Sequence, residues 1–130
     1  MIEKEILQKY YRVYAKIDLD AIENNIIEMK KNLGEHTQMA AVLKTDGYGH
    51  GAVPIASVIK DKVRAFAVAT IDEGMNLRRH GIENDIFILG FLPDSRIDDA
   101  IKNNIWPAIF SFEMAQKISR KAEKAGIQAK

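Results

Sequence analysis

Four short runs of continuously apolar residues most constrain how this chain can fold. They occupy residues 39–43, 66–69, 86–89 and 105–110. A half-exposed strand alternates apolar and polar side chains, so a run that is apolar at every position indicates a strand buried on both faces. Helix-like segments separate the runs, and this alternation indicates a parallel sheet covered by helices. The pattern therefore predicts an α/β fold of four strand–helix units.

Capping residues mark the helices of these units. Pro54 suits the first turn of a helix. Thr70 followed by Glu73 forms a capping box ahead of a helix that Gly81 would end. The other predicted helix boundaries are Asp94 or Ser95, Ser111 and Gly126. The last residues, 127–130, are expected to approach a fifth strand.

A strand and a helix are predicted ahead of the first unit. Residues 10–17 are rich in Tyr and Val and partly alternate, which is typical of a strand. Asp18 or Asp20 offers a side-chain oxygen that can cap the following helix, and Gly34 is placed to close that helix.

Two architectures fit four consecutive strand–helix units. One is an open doubly wound sheet, and the other is a (β/α)8 barrel, which typically needs about 250 residues. The chain has 130 residues, roughly half of that. A four-stranded half-barrel leaves two unpaired sheet edges. We therefore expect the chain to be part of something larger and its copies to associate.

Composition excludes several classes of protein and site. Apolar residues make up 47% and charged residues 28%, which excludes a disordered tail. There is no cysteine, so disulfides, thiolate metal sites and cysteine nucleophiles are excluded. The net charge of +1 gives no support to nucleic-acid binding, and the three histidines are not spaced as metal ligands. A charged N-terminus and short apolar runs predict a cytoplasmic protein with no membrane partner.

The most informative stretch is Ala-Val-Leu-Lys-Thr-Asp-Gly-Tyr-Gly-His-Gly at residues 41–51. An apolar strand runs directly into Lys44, and sites in parallel α/β folds lie at the carboxyl ends of strands. A lysine partly removed from water is a nucleophile that can form a Schiff base with a carbonyl group. The glycines let the backbone approach a ligand, and the Tyr48 phenol can bond a phosphate oxygen. The alternative is a solvent-exposed lysine followed by an ordinary turn.

Nearby polar residues have simpler interpretations. Glu73 is most simply a helix-capping residue, and Asp46 is most simply part of a turn. His50 is expected to bond the local backbone, and Trp106 is expected in the core or at an interface.

Residues 41–51 resemble the pyridoxal-phosphate motif of the alanine racemase family, V-x-K-A-[DN]-[AG]-Y-G-H-G, with Thr45 in place of the commoner alanine. The similarity extends over nearly the whole chain. Residues 14–21 are similar to the leading strand and helix of the family, and residues 66–74 to its second barrel strand. Residues 88–90 and 107–111 lie where the third and fourth strands would be.

The resemblance implies the N-terminal half of a (β/α)8 barrel of the TIM type, within a longer homodimeric protein. Residues 1–37 would hold the leading strand and helix, and residues 38–130 the first four β/α units. The C-terminal β domain of the family would lie outside these 130 residues.

The resemblance also implies the residues of a cofactor site. Lys44 would form the internal aldimine with pyridoxal 5′-phosphate and serve as the acid/base on one face of the substrate carbanion. A tyrosine outside this chain would serve on the other face. Tyr48 would hold the cofactor phosphate, and Val42 and Leu89 would line the ring.

The implied activity is interconversion of L- and D-alanine, which supplies D-alanine for peptidoglycan. The 130-residue chain alone is expected to be inactive, because it lacks the second base. Two alternatives remain open. One is a related barrel-type pyridoxal-phosphate protein, either an amino-acid decarboxylase or a cofactor carrier. The other is a non-enzymatic fragment.

Overall fold

The computed structural model describes residues 12–130, which form a four-stranded parallel sheet with helices packed against it. The strands are β1 (Ala40–Val42), β2 (Ala65–Val68), β3 (Asp85–Ile88) and β4 (Ile105–Pro107). Their order in the sheet is β1-β2-β3-β4, and each neighbouring pair is parallel. The predicted α/β class and all four predicted strands are confirmed.

Helices connect the strands in sequence. They are α1 (Leu19–Lys31), α2 (Ala52–Ile59), α3 (Ile71–Arg79), α4 (Ile97–Lys102) and α5 (Phe112–Ala125). A 3-10 turn, Asp94–Arg96, precedes α4, and a short helical segment, Lys44–Tyr48, follows β1. We call this second segment the lysine turn. No helix within residues 12–130 combines the length and apolarity needed to cross a bilayer.

The strand order separates the two architectures left open by the sequence. A doubly wound sheet reverses its strand order at one point and carries helices on both faces. Here the order runs in one direction, and the strand side chains of the apolar core lie on a single face. Those core side chains are Phe66, Val68, Ile86, Ile88 and Ile105. The arrangement is that of consecutive units of a (β/α)8 barrel.

The opposite face of the sheet, which we call the inner face, carries a second row of side chains. The strand register aligns Val42, Ala67, Phe87 and Trp106 across all four strands. The Phe87 and Trp106 rings meet edge to face, with centroids 5.0 Å apart and planes at 70°. This face corresponds to the interior of a barrel, and Val42 at its edge is 41% exposed.

Most of the predicted helix caps form, but neither Asp94 nor Ser95 caps α4, because both lie in the 3-10 turn and Arg96 is the N-cap. Thr70 Oγ1 accepts a hydrogen bond from the Glu73 amide while the Glu73 carboxylate accepts one from the Thr70 amide, which completes the capping box. Ser111 caps α5, and Gly81 and Gly126 follow α3 and α5 in the left-handed conformation. Of the two acids offered for α1, Asp18 is the cap.

The predicted strand at residues 10–17 is wrong over its described part. Residues 12–17 form no strand, and residues 12–16 are exposed; residues 10 and 11 lie outside the described residues. A strand requires a neighbour that accepts and donates its backbone hydrogen bonds. Within the described residues no strand pairs with this segment.

The end of α1 also differs from its prediction. Gly34 was expected to close the helix, but α1 ends at Lys31 and Asn32 is its C-cap. The Asn32 side-chain amide donates to the Glu28 carbonyl at 3.1 Å and so satisfies an otherwise free acceptor of the last turn. Residues 127–130 form no strand, and the division of the chain at residues 37 and 38 stays a prediction.

Candidate functional site

The lysine of the sequence motif lies directly at the carboxyl end of β1. The strand ladder continues one residue past Val42, because the Leu43 amide donates to the Ala67 carbonyl at 2.8 Å. The Leu43 side chain packs in the core and is 4% exposed. Lys44 follows and is half-buried. The buried Leu43 side chain therefore fixes the backbone immediately before Lys44.

The lysine turn has an unusual backbone conformation. Five consecutive residues, 45–49, have φ between 53° and 81°. Glycine adopts this left-handed region freely, but each non-glycine residue in it is disfavoured by roughly 1–2 kcal/mol. Thr45, Asp46 and Tyr48 all carry this strain. Strained backbone persists only where the surrounding structure holds it, and it concentrates at functional sites.

Backbone hydrogen bonds give the lysine turn its internal support. The Gly47 amide donates to the Leu43 carbonyl at 2.9 Å, and the Gly49 amide donates to the Thr45 carbonyl at 3.0 Å. Gly47 is buried, and a Cβ there would lie 3.2 Å from Cδ1 of Ile55. Glycine at this position therefore serves both the left-handed conformation and the close packing of α2.

Two polar side chains hold the far end of the turn. Asp46 Oδ1 accepts a hydrogen bond from the Ala52 amide at 2.8 Å, which ties the turn to the start of α2. His50 Nδ1 lies 3.1 Å from the carbonyls of Gly47 and Tyr48, so this nitrogen acts as the donor. Both residues have the local backbone roles that their sequence positions indicated.

Glu73 holds the near end of the turn. Its Oε1 accepts a hydrogen bond from the Thr45 amide at 2.9 Å, while its Oε2 accepts from the Ala69 amide at 2.7 Å. The sequence identified Glu73 as a capping residue but did not indicate the bond to Thr45. That bond spans 28 residues and depends on β1 and β2 ending side by side.

The structure brings two of the predicted site residues together. The Lys44 ammonium lies 5.8 Å from the centroid of the Tyr48 ring, and Tyr48 is 59% exposed. Leu89 extends the ladder beyond β3, because its amide donates to the Val68 carbonyl at 2.8 Å. Leu89 therefore lies at the same carboxyl edge, two strands and about 10 Å from β1. Val42 lies two residues before Lys44, on the inner face of the sheet.

These side chains bring a primary amine, a phenol hydroxyl and apolar surface to one edge of the sheet. Within the described residues no carboxylate lies within ion-pair distance of Lys44. The Tyr48 hydroxyl offers a hydrogen-bond donor, and Val42 and Leu89 offer apolar surface at the same edge. Residues 12–130 contain no cluster of three His, Asp or Glu side chains that could hold a metal ion.

Comparison with protein families agrees with this geometry. The model of the family described as alanine racemase, N-terminal domain, matches residues 17–130. The chain belongs to this family. It is 39% identical over 118 residues to the alanine racemase of Desulforamulus reducens, covering 90% of this chain and 32% of that protein. It is 41% identical over 119 residues to the alanine racemase of Clostridium tetani, covering 91% of this chain and 30% of that protein. The chain thus spans about a third of the length of these relatives.

Solved structures of the family share the fold. An alanine racemase of Clostridium difficile 630 superposes with a TM-score of 0.84 at 42% identity, over 87% of this chain and 30% of that one. The same protein has been solved in complex with cycloserine. A histidine racemase of Leuconostoc mesenteroides superposes with a TM-score of 0.76 at 25% identity, over 87% of this chain and 30% of that one. The N-terminal barrel fold implied by the resemblance is therefore confirmed.

Proposed function

We propose that this chain is the N-terminal barrel segment of an alanine racemase in which Lys44 binds pyridoxal 5′-phosphate covalently. The observation that carries the proposal is a half-buried lysine at the carboxyl end of β1, held in a strained turn that also presents Tyr48. Membership in the alanine racemase N-terminal domain family supports it.

Each site residue has a distinct proposed role. When bound, pyridoxal phosphate supplies an electron sink that makes the proton on the substrate Cα acidic. The Lys44 amine, once released by the incoming substrate, moves that proton on the face it occupies. The Tyr48 hydroxyl donates to a phosphate oxygen, and Val42 and Leu89 exclude water from the cofactor ring.

Inversion at Cα requires a second acid/base on the opposite face of the substrate. The relatives are about three times as long as this chain, since it covers 32% and 30% of two of them. We place the second base in the part of such a protein that lies outside this segment. As parts of the same proposal, the longer protein is a cytoplasmic homodimer and supplies D-alanine for peptidoglycan.

Reductive trapping tests the cofactor assignment directly. The chain is incubated with pyridoxal phosphate and treated with borohydride, and the labelled peptides are mapped by mass. Labelling joins the Lys44 nitrogen to the aldehyde carbon with loss of water, and borohydride then delivers hydride to that carbon. We expect one stoichiometric adduct on Lys44. The variant Lys44→Arg should lose it, whereas Lys102→Arg at an exposed position should keep it. Scattered substoichiometric labelling of surface lysines would refute a formed site.

A racemisation assay tests the proposal that Lys44 is one of two bases and that the second base lies outside this segment. We expect no turnover of L- to D-alanine at an enzymatic rate by the 130-residue chain, because the second base is supplied elsewhere. Turnover by this chain that Lys44→Ala abolishes would show that the chain holds both bases.

A further inference from the structure

The carboxylate of Glu73 accepts hydrogen bonds from three backbone amides, which lie just beyond the carboxyl ends of β1 and β2. Oε1 accepts from the Thr45 amide at 2.9 Å, at the exit of β1. Oε2 accepts from the amides of Ala69 at 2.7 Å and Thr70 at 3.3 Å, at the exit of β2. A capping box requires only the bond to Thr70. The bonds to Thr45 and Ala69 are therefore additional to the capping role.

The bond to Thr45 acts on the peptide unit that Lys44 shares with its neighbour. Fixing the Thr45 amide fixes the plane of the peptide between Lys44 and Thr45. It therefore limits ψ of Lys44 and φ of Thr45, which is 53°. Thr45 is also the first of the five left-handed residues. Without an acceptor at this amide, rotation of the peptide would release the strain and redirect the lysine.

We infer that Glu73 is a positioning residue that orients Lys44 by anchoring the first residue of the lysine turn. The inference rests on the proposed function, since it assigns Glu73 to the site where Lys44 binds the cofactor. Glu73 is the third residue of α3, so its carboxylate joins the first turn of α3 to the backbone at the end of β1.

The two acceptor oxygens explain why a carboxylate is required. Both oxygens of Glu73 face N–H donors, and neither faces an acceptor. Glutamine has the same shape but presents one oxygen and one NH2 group. In either orientation its NH2 group would face an amide hydrogen at one of the two strand exits. The single oxygen of glutamine keeps two bonds if it faces Ala69 and Thr70 but only one if it faces Thr45, so Glu73→Gln is a nearly isosteric change that removes the bond to Thr45.

The decisive measurement compares trapping rates at two lysines of the same molecule. The initial rate of pyridoxal-phosphate labelling at Lys44 is divided by the rate at exposed Lys102, so that differences in reagent concentration cancel, and both rates are measured where urea titration shows the variant to be folded. We expect Glu73→Gln to lower this ratio at least about tenfold, the size of effect for one lost charge-assisted bond. Glu73→Asp, which keeps two acceptor oxygens, should restore part of the ratio.

Two control variants separate positioning from capping and from charge. Thr70→Val removes the hydroxyl that accepts the Glu73 amide and weakens the start of α3, but it leaves the acceptors of Glu73 in place. Asp72→Asn removes one negative charge from the same helix, where Asp72 bonds Arg96 instead of the turn. Both should keep the labelling ratio within about twofold of wild type, because a twofold change corresponds to well under one hydrogen bond.

Amide hydrogen exchange supplies a readout that needs no cofactor. In wild type the Thr45 and Ala69 amides should be protected, and Glu73→Gln should lose protection at Thr45 while the β3 amides stay protected. An unchanged labelling ratio in Glu73→Gln, or unchanged protection at the Thr45 amide, would overturn the inference. If wild type itself gains no adduct on Lys44, the proposed function fails. Loss of Thr45 protection in Glu73→Gln would then still establish Glu73 as the anchor of the turn.

Discussion

The carboxyl and amino ends of the sheet differ in backbone strain and in how fully their polar groups are paired. At the carboxyl end, the lysine turn holds three non-glycine residues in a strained conformation, and Tyr48 and Leu89 are more than half exposed. At the amino end, polar groups are matched, and of the described non-glycine residues there Asn104 alone has a positive φ, of 49°. The Arg78 guanidinium donates to four carbonyls of the segments that lead into β3 and β4. They belong to Ile82 at 2.6 Å, Asn84 at 2.7 Å, Asn104 at 2.8 Å and Asn103 at 2.9 Å.

Other contacts at the amino end have the same stabilising character. The Asn84 side-chain amide donates to the carbonyls of Lys60 and Val63, at 2.8 and 3.0 Å. Asp85, the buried carboxylate at the start of β3, pairs with Arg64 at 2.6 Å. The comparison indicates that the amino end stabilises the fold, whereas the strained backbone lies at the carboxyl end, the end where barrel enzymes have their active sites.

Arg78→Ala should give the largest loss of stability. It leaves several partly buried carbonyls without a donor, and we expect the free energy of unfolding to fall by about 2–4 kcal/mol. Urea titration measures the loss. Arg79→Ala, at the adjacent exposed position, is the matched control and should change little. Because the effect arises at the amino end, the ratio of Lys44 to Lys102 labelling should stay unchanged while the protein is folded. A reduced ratio would contradict the separation of the two ends.

Features determined by neighbouring residues were predictable from the sequence, and features determined by distant ones were not. The Thr70–Glu73 capping box needs only four consecutive residues. Thr45 has a left-handed conformation that nothing in its side chain favours, and its amide bonds Glu73, which lies 28 positions further along the chain. The strand pattern could not separate a barrel from a doubly wound sheet, because both repeat strand and helix. The segment 10–17 has strand-like residues, but pairing decides whether a strand forms.

Gly90→Ala should give the next largest loss in the free energy of unfolding, and it should also affect the candidate site. A Cβ at Gly90 would lie 2.4 Å from the Ala69 carbonyl oxygen, so the exits of β2 and β3 would have to separate. We expect a loss of about 1–3 kcal/mol in the free energy of unfolding, the usual range for overpacking. Unlike Arg78→Ala, this change should also slow Lys44 labelling. It displaces the end of β2, where the Ala69 amide donates to the Glu73 carboxylate.

Gly34→Ala is the control for Gly90→Ala. Gly34 does not have a positive φ, and a Cβ there would meet only Thr37 Oγ1 at 3.6 Å, an ordinary contact. Gly34→Ala should alter neither the free energy of unfolding measured in urea nor the rate of Lys44 labelling. If Gly90→Ala weakens the fold but leaves labelling at the wild-type rate, the strand exit does not support the site.

Tyr48→Phe should affect cofactor binding without affecting stability. The Tyr48 hydroxyl is exposed and holds no backbone bond in the turn, so urea titrations of wild type and variant should coincide. Loss of one hydrogen bond to a phosphate oxygen should weaken binding of pyridoxal phosphate by about tenfold, or about 1.5 kcal/mol. Pyridoxal, which lacks the phosphate, serves as the control ligand and should bind both proteins alike. An equal loss for the two ligands would assign Tyr48 to the cofactor ring instead.

The smallest expected effect is the pH response of the exposed ion pairs between α4 and α5, which belong to neither end. The Lys121 ammonium, 2.6 Å from the Asp98 carboxylate, holds the pKa of that carboxyl below its ordinary value of 3.8. A lowered folded-state pKa means that the pair stabilises the fold at pH values above 3.8. That contribution fades as the pH falls below 3.8 toward the lower folded-state value.

Comparing wild type with Asp98→Asn isolates this pair. The two proteins should differ slightly in free energy of unfolding at pH 7, and the difference should vanish in acid as the wild-type carboxyl becomes protonated. High salt should shrink it at every pH, because exposed pairs are screened. A difference that grew as the pH fell would require the folded state to raise the pKa of Asp98, opposite to the effect of Lys121. The labelling ratio of Lys44 should be the same in both proteins throughout, since this pair bonds neither the lysine turn nor Glu73.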